Sequence, residues 1–449
     1  MAILSIVRIQ FILTSVTRSF TLIFLFFINK RLSNKYQQFC YTTTFKNTYF
    51  FFFNIKMNLR EEALNLHRTK RGKIATQSKV NVKTKEDLSL IYTPGVAEVC
   101  NEIVSDKNKI WEYTIKSNSV AVVTDGSAVL GLGNIGAEAA LPVMEGKCVL
   151  FKELADIDAF PICIKTQNDK EIINIVKNIA PVFGGINLED ISAPRCFKIE
   201  EALLDIGIPV MHDDQHGSAI VILAALMNAA KVVNKRIEDL KVVINGAGAA
   251  GTAVTKLLLC LGIDKNICTS VKEIVLCDSK GIIYDGRADL NEFKAQLAKF
   301  TNRSKRKGTL KDALQGGDAF IGVSAANLLT SENLKGMNKD AIVFAMANPI
   351  PEIMPDEAKK VAVVVGTGRS DYPNQINNSL AFPGVFRGAL DAKAVIINNE
   401  MKIAAAHALA NCVEPTKDKI LPYTLDKQVV PKVAEAVKKV AIETGVVRK

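Results

Sequence analysis

Residues 186–217 read INLEDISAPRCFKIEEALLDIGIPVMHDDQHG. The pattern is strand, helix, strand. An apolar run ends in Glu189-Asp190, an amphipathic segment lies near 196–205, and Ile208 to Met211 runs into His212-Asp213-Asp214. Gly207 and Pro209 punctuate the turn into the second strand. If the two strands are parallel neighbours, a right-handed crossover brings both acidic clusters to the same carboxyl edge. Carboxylates crowded there repel one another unless a cation sits among them. Oxygen-only ligands suit a hard divalent ion such as Mg²⁺ or Mn²⁺. On this stretch alone two readings stay open: a cation site, or two solvated acidic strand ends.

Downstream, Gly217 to Val233 reads as an apolar helix leading into a second domain. Lys241 to Asn245 is a buried strand followed at once by GAGAAG, with Gly246, Gly248 and Gly251 opening a helix through Ala249 and Ala250. In that setting the first glycine makes a tight turn, the second lets backbone approach a pyrophosphate, and the third lets helix and strand pack closely. The helix N-terminus then turns its positive end to the phosphates. The next strand, Glu273 to Cys277, ends in Asp278, where a carboxylate accepts the ribose hydroxyls of NAD. Short apolar strands follow at Asp318 to Val323, Ala341 to Met346 and Ala362 to Val365, with Ser324, Asn348 and Gly366-Thr-Gly368 at their carboxyl ends.

Upstream, Leu59 to Leu66 forms a short helix, and the turn Tyr92-Thr-Pro-Gly95 precedes a helical segment containing Trp111. Ser119 to Thr124 is a strand. LGLGNIG, residues 130–136, is formally Gly-x-Gly-x-x-Gly, but no acid-ended strand follows at dinucleotide spacing, so it reads as a tight loop. The helix after it is interrupted by Pro142, and further strands are expected at Cys148 to Phe151 and Ala159 to Lys165.

The net charge of +11 resembles a nucleic-acid signal until it is placed. Residues 1–56 hold seven Lys or Arg and no acid, leaving 50 basic against 46 acidic residues in the rest. No basic stripe interleaved with aromatics appears there, which argues against nucleic acid as a partner. No apolar stretch is long and uninterrupted enough for a membrane span. The nine Cys include no CxxC pair, which suggests reduced thiols in an intracellular protein. Residues 1–56 fit an organelle presequence, a signal segment or an upstream stretch translated in frame with the start at Met57. The chain therefore divides into a non-globular extension (1–56), a substrate and metal domain (57–215) and a coenzyme domain (216–449).

A hard cation beside a nicotinamide suits oxidation of a hydroxyl next to a carboxylate, with the metal then assisting loss of carbon dioxide as a Lewis acid. Such a site needs a base and an acid. Lys147, flanked by apolar residues that could lower its pKa, and Tyr92 are candidates among 57 basic residues and eight tyrosines.

YTPGVAEVC (92–100), TDGSAVLGLGNIG (124–136), EGKCVLFKE (145–153), GGINLEDISAPRC (184–196), HDDQHGSAIV (212–221), VINGAGAAG (243–251), FAMANPIPEIMPDEA (344–358) and GTGRSDYPNQINNSLAFPG (366–384) together resemble the malic enzymes, in their short bacterial-type branch. The resemblance covers about residues 57–449. It implies an α/β protein: an N-terminal substrate domain with a small parallel sheet and a C-terminal Rossmann-type, doubly wound dinucleotide-binding domain. It also implies oxidative decarboxylation of (S)-malate to pyruvate and carbon dioxide with reduction of NAD or NADP. Carried over residue by residue, Lys147 matches the general base and Tyr92 the proton donor. Glu189, Asp190 and Asp214 match the metal ligands, and Asp213 a residue that orients the lysine. Asn348 and Asn378 match side chains near malate and nicotinamide.

His212 and His216 match no family ligand; a His-Asp-His zinc site is a rival reading, and packing around the site is the other. Longer members of the family carry a carboxylate-clamping Arg after TDG where Ser127-Ala128 stand here, so that clamp is unassigned. Some bacterial members append a phosphotransacetylase-like domain, and this sequence ends before such a module. Asp278 favours NAD by repelling a 2′-phosphate, although Lys280 could offset it. Two rival functions remain: non-oxidative decarboxylation of malate or oxaloacetate with retained coenzyme, and a coenzyme-binding regulator without turnover. A homodimer or higher homo-oligomer in the cytoplasm is expected, or an organelle of mitochondrial type if residues 1–56 are a presequence.

Overall fold

The computed structural model describes residues 59–129 and 131–448, together with the backbone of four strands, Ile9–Val16, Ser19–Phe27, Gln38–Thr44 and Asn47–Phe53. Those strands pair antiparallel in sequence order. The other residues of 1–56 lie outside the described residues, and with them the expectation of a presequence or an upstream translated stretch. Residues Met1–Lys73 and Ile74–Lys449 form two compact units. The first ends in the helix Leu59–Lys70.

Within the second unit, SVAVVT forms β1 (Ser119–Thr124), buried along its whole length. It pairs in parallel with β2 (Asp158–Cys163) on one side and β3 (Gly185–Leu188) on the other, and β3 pairs in parallel with β4 (Val210–His212). The order is β2-β1-β3-β4. Parallel strands covered on both faces read as unbroken apolar runs, as β1 does.

The second sheet holds β5 (Lys241–Asn245), β6 (Glu273–Asp278), β7 (Gly281–Ile282), β8 (Ala319–Gly322), β9 (Ile342–Ala345) and β10 (Val364–Thr367). Its order, β7-β6-β5-β8-β9-β10, reverses direction between β5 and β8. All pairings are parallel except the short β6–β7 hairpin. This is the Rossmann-type arrangement expected, and its crevice lies where strand order reverses.

One expected strand is absent. Cys148 to Phe151 belong to a single helix, α1 (Gly136–Ala155), which continues through Pro142. Its buried residues Ala137, Ala140, Met144, Lys147, Cys148, Phe151 and Ala155 recur at three- and four-residue spacing, a helical period visible only over the longer window. Phe151 is fully buried and meets Phe382 and Phe386 edge-on, with ring centroids 4.7 and 5.4 Å apart. Complete burial of such a ring contributes about 3 kcal/mol.

The helix expected from Gly217 starts four residues earlier, as α3 (Asp213–Val232), so Asp213 and Asp214 sit in its first turn. Its interior residues from Ala219 to Ala230 share one core with Val120 and Phe151 of the first sheet layer and Val242 and Ile244 of the second. The expected division at 215/216 thus falls inside a helix that packs under both sheets. The helix between β3 and β4 is α2 (Arg195–Glu201), shorter than its amphipathic pattern suggests. Beyond β5, α4 (Ala249–Leu258) begins after Gly248; the C-terminal layer comprises α5 (Phe382–Asp391), α6 (Asn399–Ala410) and α7 (Val429–Glu443).

Candidate active site

β3 delivers Glu189 and Asp190 at its carboxyl end, and β4 hands over directly to α3 with Asp213 and Asp214. Asp190 adopts a left-handed backbone, φ 53°, which Asp tolerates better than most residues. Its amide donates to Asp214 Oδ2 at 2.8 Å. Glu189, Asp190 and Asp214 each offer an oxygen within 4.8 Å of the others. Glu189 and Asp190 are buried, and Asp214 is half-buried. Burial pushes Glu189 up to about 7 and Asp214 up to about 6, and neighbouring carboxylates push in the same direction. An all-oxygen donor set that resists holding its own negative charge is what a hard divalent cation relieves, so these residues fit Mg²⁺ or Mn²⁺.

Beside this trio, Lys147 Nζ lies 2.6 Å from Asp213 Oδ2 and 2.9 Å from Glu189 Oε1. Asn378 Nδ2 donates to the same Asp213 oxygen at 2.6 Å. The ammonium stands 4.2 Å from the centre of the Phe382 ring. Desolvation by apolar neighbours does favour the neutral amine, as expected, but Asp213 and Glu189 outweigh it and raise the lysine's pKa. That correction comes from charges brought together by the fold, which flanking sequence does not reveal. Asp213 is itself pushed up to about 7, by burial first and then by Glu189.

The zinc rival loses its geometry. His216 Nε2 is engaged with Glu200 Oε2 at 3.0 Å, and His212 is fully buried with Nδ1 3.8 Å from Asp214 Oδ2. Among the described residues the carboxylate trio is the one group with metal-ligating convergence. The histidines pack around it.

Two residues that organise the site carry no assignment from the motifs. Buried Glu200 accepts the His212 amide at 2.8 Å, Gln215 Nε2 at 3.0 Å and His216 Nε2 at 3.0 Å, pinning the start of α3. Burial opposes its ionisation, yet His216 beside it holds it down at about 2. Arg195 bridges Asp125 at 2.9 Å and Asp169 at 2.6 Å. Ser127 Oγ donates to Asp125 at 2.6 Å and accepts the Ser192 amide at 2.9 Å, while the Ala128 amide donates to the Asp190 carbonyl at 2.9 Å. Ser127-Ala128 therefore fasten the TDG turn to the acidic loop. A polar residue inside an amphipathic helix was the only sequence signal for Glu200; for Arg195 it was its place in GGINLEDISAPRC.

The glycine turn follows β5 as the fingerprint requires. Gly246 has φ 115°, and a Cβ there would lie 2.4 Å from the Val323 carbonyl oxygen. A Cβ on Gly251 would lie 1.7 Å from the Gly246 oxygen, whereas one on Gly248 would meet nothing within 4 Å. The open side at Gly248, beside Ala249 and Ala250 at the helix start, fits a pyrophosphate. Asp278 closes β6 with its carboxylate paired to Arg287 and, at 2.7 Å, Lys294. Burial opposes its charge, but those two cations hold it down at about 2. Lys280, which could offset it, pairs with Asp289 at 2.9 Å. Asn348 lies against the LGLGNIG loop: a Cβ on Gly131 would sit 2.8 Å from its carbonyl oxygen.

Tyr92 stands apart. It is 68% exposed, and among the described residues no contact joins it to Lys147 or the carboxylates. The helices on either side, Lys85–Ile91 and Gly95–Ser105, contain no buried residue.

A model of the malic enzyme NAD-binding domain matches residues 215–442, and one of the malic enzyme N-terminal domain matches residues 70–173. The chain is 57% identical over 398 residues to a bifunctional malic/malolactic enzyme of Bacillus subtilis, covering 87% of this chain and 95% of that protein. It is 56% identical over 382 residues to the NAD-dependent malic enzyme of Geobacillus stearothermophilus, covering 84% and 78%. The crystal structure of the NAD-dependent malic enzyme of Thermotoga maritima superposes with a TM-score of 0.80 at 49% identity, covering 84% of this chain and 98% of that one. Relatives named NADP-dependent malic enzymes match at 44% and 46% identity.

Proposed function

The chain belongs to the malic enzymes, and from that membership we propose how its residues divide the work of oxidising and decarboxylating (S)-malate. The reaction yields pyruvate and carbon dioxide and reduces NAD or NADP, with a divalent metal. The observation that carries the proposal is the convergence of Glu189, Asp190 and Asp214 beside Lys147.

Glu189, Asp190 and Asp214 hold the cation. When bound, the cation polarises the substrate oxygens and the nicotinamide accepts the hydride. Asp213, 2.6 Å away and itself pushed up to about 7, takes a proton from the Lys147 ammonium, and the neutral amine so formed removes the hydroxyl proton. Asn378 fixes the same Asp213 oxygen, so it acts on the base as well as lying near substrate. Gly246, Gly248, Ala249, Ala250 and Gly251 carry the pyrophosphate, Asp278 the ribose, and Asn348 the approach to nicotinamide and malate.

Tyr92 is the proton donor for the enol, and its exposure in one subunit is met by a second copy. The segment 80–104 leaves Val80, Val82, Leu88, Leu90, Ile91 and Val104 exposed around Tyr92. A homodimer covers these apolar side chains and presents the phenol to the neighbouring site. No described helix is long and apolar enough to cross a membrane; the enzyme is assigned to the cytoplasm. NAD is the preferred coenzyme, because Asp278 stays charged.

The test is malate-dependent reduction of NAD and NADP with and without Mn²⁺. Reduced coenzyme accumulating only with both malate and Mn²⁺ supports the assignment; loss of malate without it would point to non-oxidative decarboxylation.

A further inference from the structure

A buried carboxylate outside the catalytic cluster ties together strand ends of the second sheet. Glu352 is fully buried, and three donors converge on its side chain. Its Oε1 accepts the Ser324 amide at 2.9 Å and Ser324 Oγ at 3.1 Å, and its Oε2 accepts the Ala347 amide at 3.0 Å. Ser324 follows β8 and Ala347 follows β9, so one side chain fastens the loops after both strands. Backbone bonds repeat the tie: the Asn327 amide donates to the Pro351 carbonyl and the Leu329 amide to that of Glu352, each at 3.0 Å. The carboxyl group packs so closely on β8 that a Cβ on Gly322 would stand 2.4 Å from Glu352 Cδ.

The network also reaches the glycine turn. Asn245 Nδ2, at the end of β5, donates to Ser324 Oγ at 2.8 Å, and a Cβ on Gly246 would lie 3.3 Å from Ser324 Cβ. Strand order reverses between β5 and β8, so the tie lies at the crevice where this fold binds a dinucleotide. Such a fold has two mononucleotide-binding halves. The glycine turn and Asp278 belong to the half built on β5 and β6, which leaves the nicotinamide half to β8 and β9. Asn348 follows directly on the Ala347 amide that Glu352 holds. A carboxylate offers acceptors on both oxygens, whereas an amide in its place turns an N–H towards one of the two loops.

We propose that Glu352 is a positioning residue for the coenzyme, an inference that rests on the coenzyme site assigned above. Through Ser324 and the Ala347 amide it sets the loops after β8 and β9, and with them Asn348, to receive the nicotinamide half.

The test is calorimetric titration of the full chain with NADH and, separately, with ADP-ribose, which lacks the nicotinamide, in the absence of malate and metal. Glu352→Gln should weaken NADH binding about tenfold, the scale of one buried donor left facing another, and leave ADP-ribose unchanged. A general loosening of the fold would weaken both ligands alike. Ser324→Ala should weaken NADH about threefold and spare ADP-ribose. Because Ser324 is exposed, this variant decides the matter if Glu352→Gln does not fold. In the double variant the loss should equal that of Glu352→Gln alone, since one network carries both. Unchanged NADH affinity in the variants, equal loss of both ligands, or losses that multiply in the double variant would overturn the proposal and leave the coenzyme site standing. Wild-type protein that binds neither ligand would overturn that site and this inference with it.

Discussion

The two sheets each end a strand in carboxylates, and the fold treats them in opposite ways. Asp278 closes β6 with Arg287 and Lys294 on its oxygens and is held down at about 2. Glu189 and Asp213, at the edge of the other sheet, share Lys147 between them and are pushed up to about 7 by burial. The first carboxylate is supplied with protein cations and acts as a fixed negative charge. The second group is short of positive charge, which suits a site completed by a dication. Burial raises a carboxylate's pKa in both places; the difference lies in how many cations the chain itself provides.

That contrast breaks most severely at the cluster. Asp214→Asn or Glu189→Gln removes a charge from the proposed cation site, and turnover should fall by about 10³-fold or more, the scale of several kcal/mol of lost charge stabilisation. Coenzyme binding, followed by nicotinamide fluorescence, should survive; its parallel loss would mean that the two regions are not separable. Lys147→Ala should cost at least about 10²-fold in rate, within the usual range of general acid–base help, and again spare coenzyme binding. Near-normal turnover would remove Lys147 from its role.

At the other sheet, Asp278→Ser leaves Arg287 and Lys294 without their carboxylate. The ratio of kcat/KM for NADP over NAD should rise about tenfold or more, since a like-charge clash is replaced by two unpaired cations. An unchanged ratio would deny Asp278 its part in coenzyme choice. The smallest effect on chemistry is expected at Glu200→Gln, which should cost about 1–3 kcal/mol of stability, read from denaturant unfolding, because a buried three-way acceptor is impaired.

Much of this was legible in the residues. The parallel pair β3–β4, the fully buried β1 and the glycine turn after β5 follow from apolar runs bounded by Gly, Pro and Asp, and the structure places them within a few residues of expectation. What was not legible depends on neighbours distant in sequence. Cys148 to Phe151 has the look of a strand, and only Met144 and Ala155 on the same face reveal the helical period. The expectation of reduced thiols throughout fails at Cys260 and Cys268, which are disulfide-bonded eight residues apart in a spacing that matches no familiar pair motif. Lys147's raised pKa needs Asp213, 66 residues away. Arg287 and Lys294 stand outside any motif quoted for coenzyme binding, yet they decide the charge state of Asp278.

The most direct test is a calorimetric Mn²⁺ titration of the wild-type chain beside Asp190→Asn. Asp190 is a proposed ligand whose replacement leaves both ion pairs at Lys147 in place, because neither involves it. A single Mn²⁺ per chain in the wild type, bound at least about tenfold more weakly by the variant, is the predicted result. Equal Mn²⁺ affinity in the two proteins would place the cation elsewhere and contradict the account.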